Sequence, residues 1–564
     1  MIADLGGTDK PELGPYDLCI VGSGPAGATL ARELKQLAPG LHLAVLESGR
    51  SHPTPLGNRL RRVLSEGIVV RDDSRERGWG GTSTTWAGLS APLDPIDLEP
   101  RPWANWAGWP LQYEELLACY RAAAERYRFP ALAEFEPARS SLTGLRLRGS
   151  LQPQWQRLEE KIFLAAEPPQ NFKTEWTETY DGPAVDLWQD ATLLELHGEG
   201  NSRRVAYGRV RSSSGREHRV RAGVFVLAAG AIENARILLL SRDSQPRGLG
   251  NRTDQVGRCL MNHPKGNQGV VRFSRPVSGL PYFFGALHRG RAGYAGLRLR
   301  QSEQRRLGVL NSYVRLEPLY RWSDNPGIAA AVELARRAQD GRWLRRWKSS
   351  GPDAVRELRD WAETGDPEVP ETDPSSTARL FLLALRNAPQ VFRYASARLS
   401  QGPIAVTEAR VRNFMEMEPD PDNRVILSEL VDDYGTPLPL VRHRPTGRDR
   451  RSLVELHTAL ADELIRNGIG RLEQPLAGQE PWPLFLDASH HLGTTRMGTD
   501  PGRSVVNPDL RLHETDNVYL AGGSVFPTGG SANPTFTIVA LSIRLATHLS
   551  STVLRSGPRT VGSS

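Results

Sequence analysis

Cysteine is scarce in this sequence, with three residues, Cys19, Cys119 and Cys259, in 564. An odd number at wide spacing argues against a disulfide framework or a zinc site and favours a reducing compartment, with the thiols acting as small buried apolar groups. Basic runs are lacking too. The formal charge of +7 is small for the length, and no lysine-rich tract or nucleic-acid motif concentrates it, so no nucleic-acid partner is expected. The opening MIADLGGTDKPELGPY has neither a cationic start nor an apolar run, and no uninterrupted apolar stretch reaches spanning length. The expectation is a cytoplasmic protein with no secretory signal and no membrane span.

What is present suffices for a large core. Apolar residues make up 39% and charged residues 24%, ordinary values for a globular chain that forms two connected domains. The acidic, proline-bearing stretch 363–376 is the best candidate for a mobile loop. Residues 329–348 alternate arginines with Leu334, Trp343 and Trp347 at helical spacing. A membrane or partner contact is one reading, and a solvated lid or oligomer contact is the commoner one.

Tyr16 to Val21 has the composition of a short buried strand, and Ala28 to Leu37 that of a helix. Between them stands Gly22-Ser23-Gly24-Pro25-Ala26-Gly27. Gly22 permits a tight turn, Gly24 lets a pyrophosphate approach the backbone, and Gly27 lets the helix pack closely on the strand. The helix N-terminus then faces the phosphates. A second strand, Leu41 to Leu46, ends at Glu47 and Ser48, about twenty residues beyond the glycines, where a carboxylate can accept from ribose hydroxyls. The unit binds a dinucleotide, but NAD and FAD share it.

Three later segments favour FAD. Residues 77–86, RGWGGTSTTW, form a glycine- and hydroxyl-rich loop able to wrap phosphates and the edge of an isoalloxazine, although a surface loop can have the same composition. Val224 to Leu227 runs into Ala228-Ala229-Gly230-Ala231, and Asn517 to Leu520 runs into Ala521-Gly522-Gly523-Ser524. Each puts bare backbone at a strand end, where open α/β sheets bind ligands.

With these segments the sequence resembles the glucose-methanol-choline oxidoreductases. The resemblance is carried by GSGPAG, GGTSTTW, AAGAIENAR at 228–236, GRCLMNHP at 257–264, FMEMEPDPDNRVILSE at 414–429, and the block from Asp487 to Leu549 containing HHLGTTRMG and TGGSANPTFTIVALSIRLA. Within the family it looks most like bacterial sugar and polyol enzymes and pyranose oxidases. The match is weaker over 100–185 and 270–410, where substrate choice is usually encoded.

The resemblance implies an α/β FAD-binding Rossmann-like domain interleaved with an α+β substrate domain on a largely antiparallel sheet. The FAD domain would comprise 1–100, 186–267 and 486–564, with 190–196 as the strand passing the adenine. The substrate domain would comprise 101–185 and 268–485. Cofactor contacts are expected from Gly22 to Gly27, Glu47, Ser48, Gly80, Gly81, Thr82, Thr84, Trp86, Ala229, Gly230, Asn234, Gly523, Ser524, Asn533, Pro534 and Thr535. Where covalently flavinylated pyranose oxidases carry a histidine before the loop tryptophan, this chain has Thr85, so the FAD is expected to be noncovalent.

The implied reaction converts a carbon-bound hydroxyl of a sugar, glycoside or polyol ring to a carbonyl by hydride transfer to flavin N5. Oxygen, a quinone or another acceptor would reoxidise the flavin, and an oligomer is compatible. Hydride loss is easier if a base takes the hydroxyl proton, and histidine suits that role at neutral pH. The family's histidine stands three residues before the glycine of a Gly-Thr pair, here His490 before Gly493-Thr494. In an extended segment His491 would face the opposite side and pack beneath the site. Asn533 supplies the second family position, although asparagine before proline is also a common turn residue. A helix over 536–545 would point its N-terminus at the flavin pyrimidine. His263 is expected to be structural. The alternatives are a flavin-containing lyase and a noncatalytic flavoprotein.

Overall fold

The computed structural model describes the chain except residues 105–107, 141–150, 167, 199–201, 279–280, 284–285, 289–290, 341–376, 400–404 and 555–564. The expected loop over 363–376 and the second half of the arginine-rich stretch, with Trp343 and Trp347, lie outside the described residues. The first half forms the helix Pro326–Asp340.

One eight-stranded sheet carries the glycine turn. Its order is Ile2–Asp4, Val185–Gln189, Leu43–Leu46, Glu12–Val21, Glu217–Leu227, Val205–Arg211, Thr192–Gly198, with Val518–Leu520 also paired to Glu217–Leu227. Pairings are parallel from Ile2–Asp4 to Glu217–Leu227 and on to Val518–Leu520, then antiparallel over the last two. Leu18, Cys19 and Ile20 are fully buried, as expected of a parallel strand covered on both faces. Cys19, Cys119 and Cys259 are all free thiols.

A second eight-stranded sheet is antiparallel in each of its pairings, in the order Gly470–Glu473, Lys265–Val277, Val406–Phe414, Tyr313–Pro318, Arg291–Leu299, Leu158–Ala165, Leu89–Ser90, with Ala286–His288 on Arg291–Leu299. A three-stranded sheet joins Arg424–Val431 and Pro437–His443 to Leu64–Gly67. The family-like stretch 414–429 is therefore split between sheets. Val406–Phe414 ends in the large one, Arg424–Val431 begins the small one, and Pro419 and Pro421 interrupt the ladder because proline has no N–H to donate.

Other boundaries moved by a few residues. The first helix is Pro25–Leu37, so Gly27 lies inside it, with Pro25 in its first turn. The strand expected over 190–196 is Thr192–Gly198. Asp190 instead sits in the left-handed region at φ 56°, its carboxylate accepting from Ser213 N and Oγ. The helix expected over 536–545 is Thr535–His548. With its continuation to Val553 it is long and apolar enough to cross a membrane by length and composition, at a mean hydropathy of 1.3 with Arg544 and His548 interrupting it, yet 61% of it is buried in the protein. It packs on Pro25–Leu37 and Tyr113–Arg126 as a core helix.

The longest described helix, Gly447–Arg466, starts with a capping box. Thr446 Oγ1 accepts from Asp449 N at 3.2 Å, and the Asp449 carboxylate accepts from Thr446 N at 2.8 Å. Thr446→Ala should lower unfolding stability by about 1 kcal/mol, the usual cost of removing a hydroxyl cap. Equilibrium denaturation checks this, and an unchanged midpoint would refute it.

Candidate active site

Gly22 has φ 102°, and a Cβ there would meet the Ala228 carbonyl oxygen at 2.7 Å. A Cβ on Gly27 would stand 1.9 Å from Gly22 O, so strand and helix are in backbone contact. Beside Gly24 the nearest atom to such a Cβ is Gly81 Cα at 3.8 Å, which leaves room for a ligand over the helix N-terminus. A cavity of about 680 Å³ opens there and runs to the carboxy-terminal block. Glu47 is buried on its wall. Its Oε2 accepts from Ser23 N (3.1 Å) and Ser23 Oγ (2.6 Å), and its Oε1 from Gly49 N (2.8 Å). The carboxylate is thus held in place at the end of Leu43–Leu46.

Most of the expected cofactor residues line this cavity: Gly22 to Ala26, Glu47, Ser48, Gly81, Thr82, Trp86, Ala229, Gly230, Gly523 and Asn533 to Thr535. Five do not line it. Gly27 packs on Gly22, Gly80 N donates to Ser23 Oγ (3.3 Å), and Thr84 Oγ1 donates to Gly81 O (2.9 Å). Asn234 is fully buried, accepting from Ala229 N and donating to Ala521 O and Ser524 Oγ. Asn234 and Ser524 therefore bolt together the two strand ends whose small residues face the cavity. The loop 77–86 is anchored by Ser83, which accepts from Phe172 N, and by Trp86 Nε1, which donates to Gln170 O.

The sequence reading missed the charged wall beyond Glu47. Glu233 lies 2.8 Å from Arg75, 3.1 Å from Arg77 and 3.5 Å from Arg236. Although burial pushes its carboxyl upward, those guanidiniums hold it far below the usual range. The alternating arginines just before the glycine loop were the available signal. Lys265 and Arg315 of the antiparallel sheet also line the cavity, and no motif marked them.

At the far end the segments 261–265 and 486–492 pair through reciprocal backbone bonds, Met261 with Leu492 and Lys265 with Leu486. Asn262 sits between them. Its Oδ1 accepts from His263 N (2.8 Å) and His490 N (3.1 Å), and its Nδ2 donates to Asp487. His490 lines the cavity, and its Nδ1 lies 2.9 Å from His263 Nδ1. Burial first, then the nearby His263 and Lys265, hold its pKa well below the ordinary histidine value, so it is neutral at neutral pH.

His491 also reaches the cavity wall, but its side chain is 6% exposed with Nε2 3.4 Å from Asp487 Oδ1. Burial pushes the Asp487 carboxyl up, yet His491 and the Ser489 amide more than offset this and hold it far below its usual range. Asn533 Nδ2 donates to Leu89 O at 2.9 Å, so one amide hydrogen is spent on the scaffold while the other and the amide oxygen remain. Beneath the glycine turn before it, Gly530 N donates to Glu416, which is itself paired to the buried Arg101 at 2.9 Å.

A glycine turn shaped for a dinucleotide opens into a cavity that ends on a half-buried histidine whose pKa is held low, an arrangement suited to a dinucleotide-dependent oxidoreductase. Residues 419–542 match the GMC oxidoreductase family. The chain is 24% identical to the 6'''-hydroxyparomomycin C oxidase of Streptomyces lividus over 97% of this chain and 95% of that protein. It is 38% identical to the C-glycoside 3-oxidase of Arthrobacter globiformis over 24% of this chain and 26% of that one. The crystal structure of pyridoxine 4-oxidase from Mesorbium loti shares the fold, with TM-score 0.52 and 18% identity over 94% of this chain and 99% of that one. Over residues 419–542 the chain is thus similar to the GMC oxidoreductases, and its relatives are named as oxidases of hydroxyl-bearing sugar compounds.

Proposed function

We propose that this enzyme oxidises a ring hydroxyl of a sugar, glycoside or polyol to a carbonyl, with noncovalent FAD in the cavity and His490 as the base. The observation that carries the reading is the cavity itself, which connects the glycine turn to His490 and Asn533. Gly22 to Ala26 and the helix N-terminus would hold the pyrophosphate, Glu47 the ribose, and Gly81, Thr82 and Trp86 the ring system. Bound FAD would supply the hydride acceptor. His490 takes the hydroxyl proton, and the remaining amide hydrogen of Asn533 orients the oxygen. Segments 1–100, 186–267 and 486–564 form the cofactor unit in this reading, and 101–185 with 268–485 the substrate unit.

The sugar assignment is supported by relatives named as oxidases of paromomycin-type and C-glycoside compounds. Anaerobic mixing with D-glucose, a methyl glucoside and inositol should bleach the flavin faster than cholesterol or long-chain alcohols do. Faster bleaching by the sterol would overturn the substrate class, and no bleaching by any alcohol would favour a lyase or a noncatalytic flavoprotein. Readmitting air then distinguishes oxygen from other acceptors.

Thr85 lines the cavity beside Trp86 and has no imidazole to tether a flavin. Acid precipitation should therefore leave the yellow colour in the supernatant. Colour in the washed pellet would refute noncovalent binding.

A further inference from the structure

His263, expected from the sequence to be structural, presents one ring nitrogen to His490 and the other to the Gly530 carbonyl. His263 Nε2 lies 2.8 Å from the carbonyl oxygen of Gly530. A carbonyl only accepts, so Nε2 carries the hydrogen and donates. Burial pulls the pKa of His263 below the ordinary range, so its ring is neutral and has one N–H. Its Nδ1 is then a bare lone pair. His490 Nδ1, 2.9 Å away, has to donate to it. A neutral His490 with its proton on Nδ1 has its lone pair on Nε2. His263 does not line the cavity and His490 does, so Nε2 is the nitrogen left for a ligand.

We propose that His263 is a positioning residue that fixes the tautomer of His490, so that Nε2 is the proton acceptor in the cavity. The Gly530 carbonyl sets the sense of the relay. Gly530 is itself held by its N–H to Glu416 at 3.0 Å, and a Cβ there would stand 2.5 Å from an Asp97 carboxylate oxygen. The two histidines are 227 positions apart in sequence, and Asn262 Oδ1 ties both backbones to one point. The tautomer follows from the hydrogen bonds of a neutral His263. Its catalytic meaning rests on the function proposed above.

The test is 15N NMR of histidine-labelled holoenzyme, with the His490 resonances identified by their loss in His490→Gln. The expected spectrum has a protonated Nδ1 and an unprotonated Nε2 on His490, and the reverse assignment overturns the proposal. His263→Leu removes the acceptor and should mix the two tautomers. It should also slow anaerobic flavin reduction by D-glucose by about 10- to 100-fold, the scale seen when a histidine loses the partner of its second nitrogen. His263→Asn places an amide oxygen near the position of Nδ1 and should restore both the tautomer and most of the rate. If His263→Leu fails to fold, His263→Asn decides, since a mixed tautomer there overturns the relay. An unchanged tautomer in His263→Leu also overturns it. If His490→Gln reduces its flavin as fast as the parent, the functional reading fails while the spectrum still reports the tautomer.

Discussion

His490→Ala is expected to slow anaerobic flavin reduction by roughly 10²- to 10⁴-fold, the usual worth of a positioned general base. FAD should stay bound, because the glycine turn and Glu47 lie at the other end of the cavity. The pH profile carries a sign. Burial, His263, Lys265 and His491 lower the pKa of His490, Asp487 opposes them, and the net shift is well below 6.5. The proton-accepting form therefore persists through neutral pH, and the rate should fall only as the solution becomes more acidic than an ordinary histidine requires. A parent rate that already drops on going from pH 8 to pH 7 would contradict this. Asn533→Ala should slow reduction less, because the base remains. The double variant should be less than additive if both groups serve one oxygen. A normal rate in His490→Ala together with a dead His491→Ala would exchange the histidine roles.

Gly27→Ala should give protein that retains little FAD and unfolds more easily. The added Cβ would stand 1.9 Å from Gly22 O, a backbone atom that cannot rotate away, so the helix must shift off the strand. Overpacking of this kind costs about 3 kcal/mol or more at its severe end, which is roughly 10²-fold in an equilibrium constant. FAD content of the purified variant and the denaturation midpoint measure it. Gly40→Ala is the control, since a Cβ there meets nothing within 4 Å. A Gly27→Ala protein with full flavin content and an unchanged midpoint would show that the turn tolerates the side chain.

The charged groups show where reading from sequence stopped. Glu47 was recognisable because it follows a strand at a fixed distance from a glycine turn, a local pattern. Glu233 has no such marker, and its importance comes from Arg75 and Arg77, which approach it from a loop more than 150 positions away. Asn234 and Ser524 were expected among the cofactor contacts. Their side chains, however, bond to one another behind the wall, because Val518–Leu520 pairs beside Glu217–Leu227. Asn262 was only the residue before His263, until folding placed its amide between the segments carrying His263 and His490.

The sequence by itself determined the local units: the strand, turn and helix of the dinucleotide cradle, the small residues at the ends of Glu217–Leu227 and Val518–Leu520, and His490 before Gly493-Thr494. These units depend on backbone conformation and on spacing within one stretch of chain, so residue type suffices to reveal them. Only the tertiary structure decided which side chains face the cavity and which support it, that the apolar helix Thr535–His548 is a core element, and that His263 meets His490. Those outcomes depend on contacts between segments hundreds of positions apart, where direction, distance and the one proton of a neutral imidazole are set by packing that no short motif records.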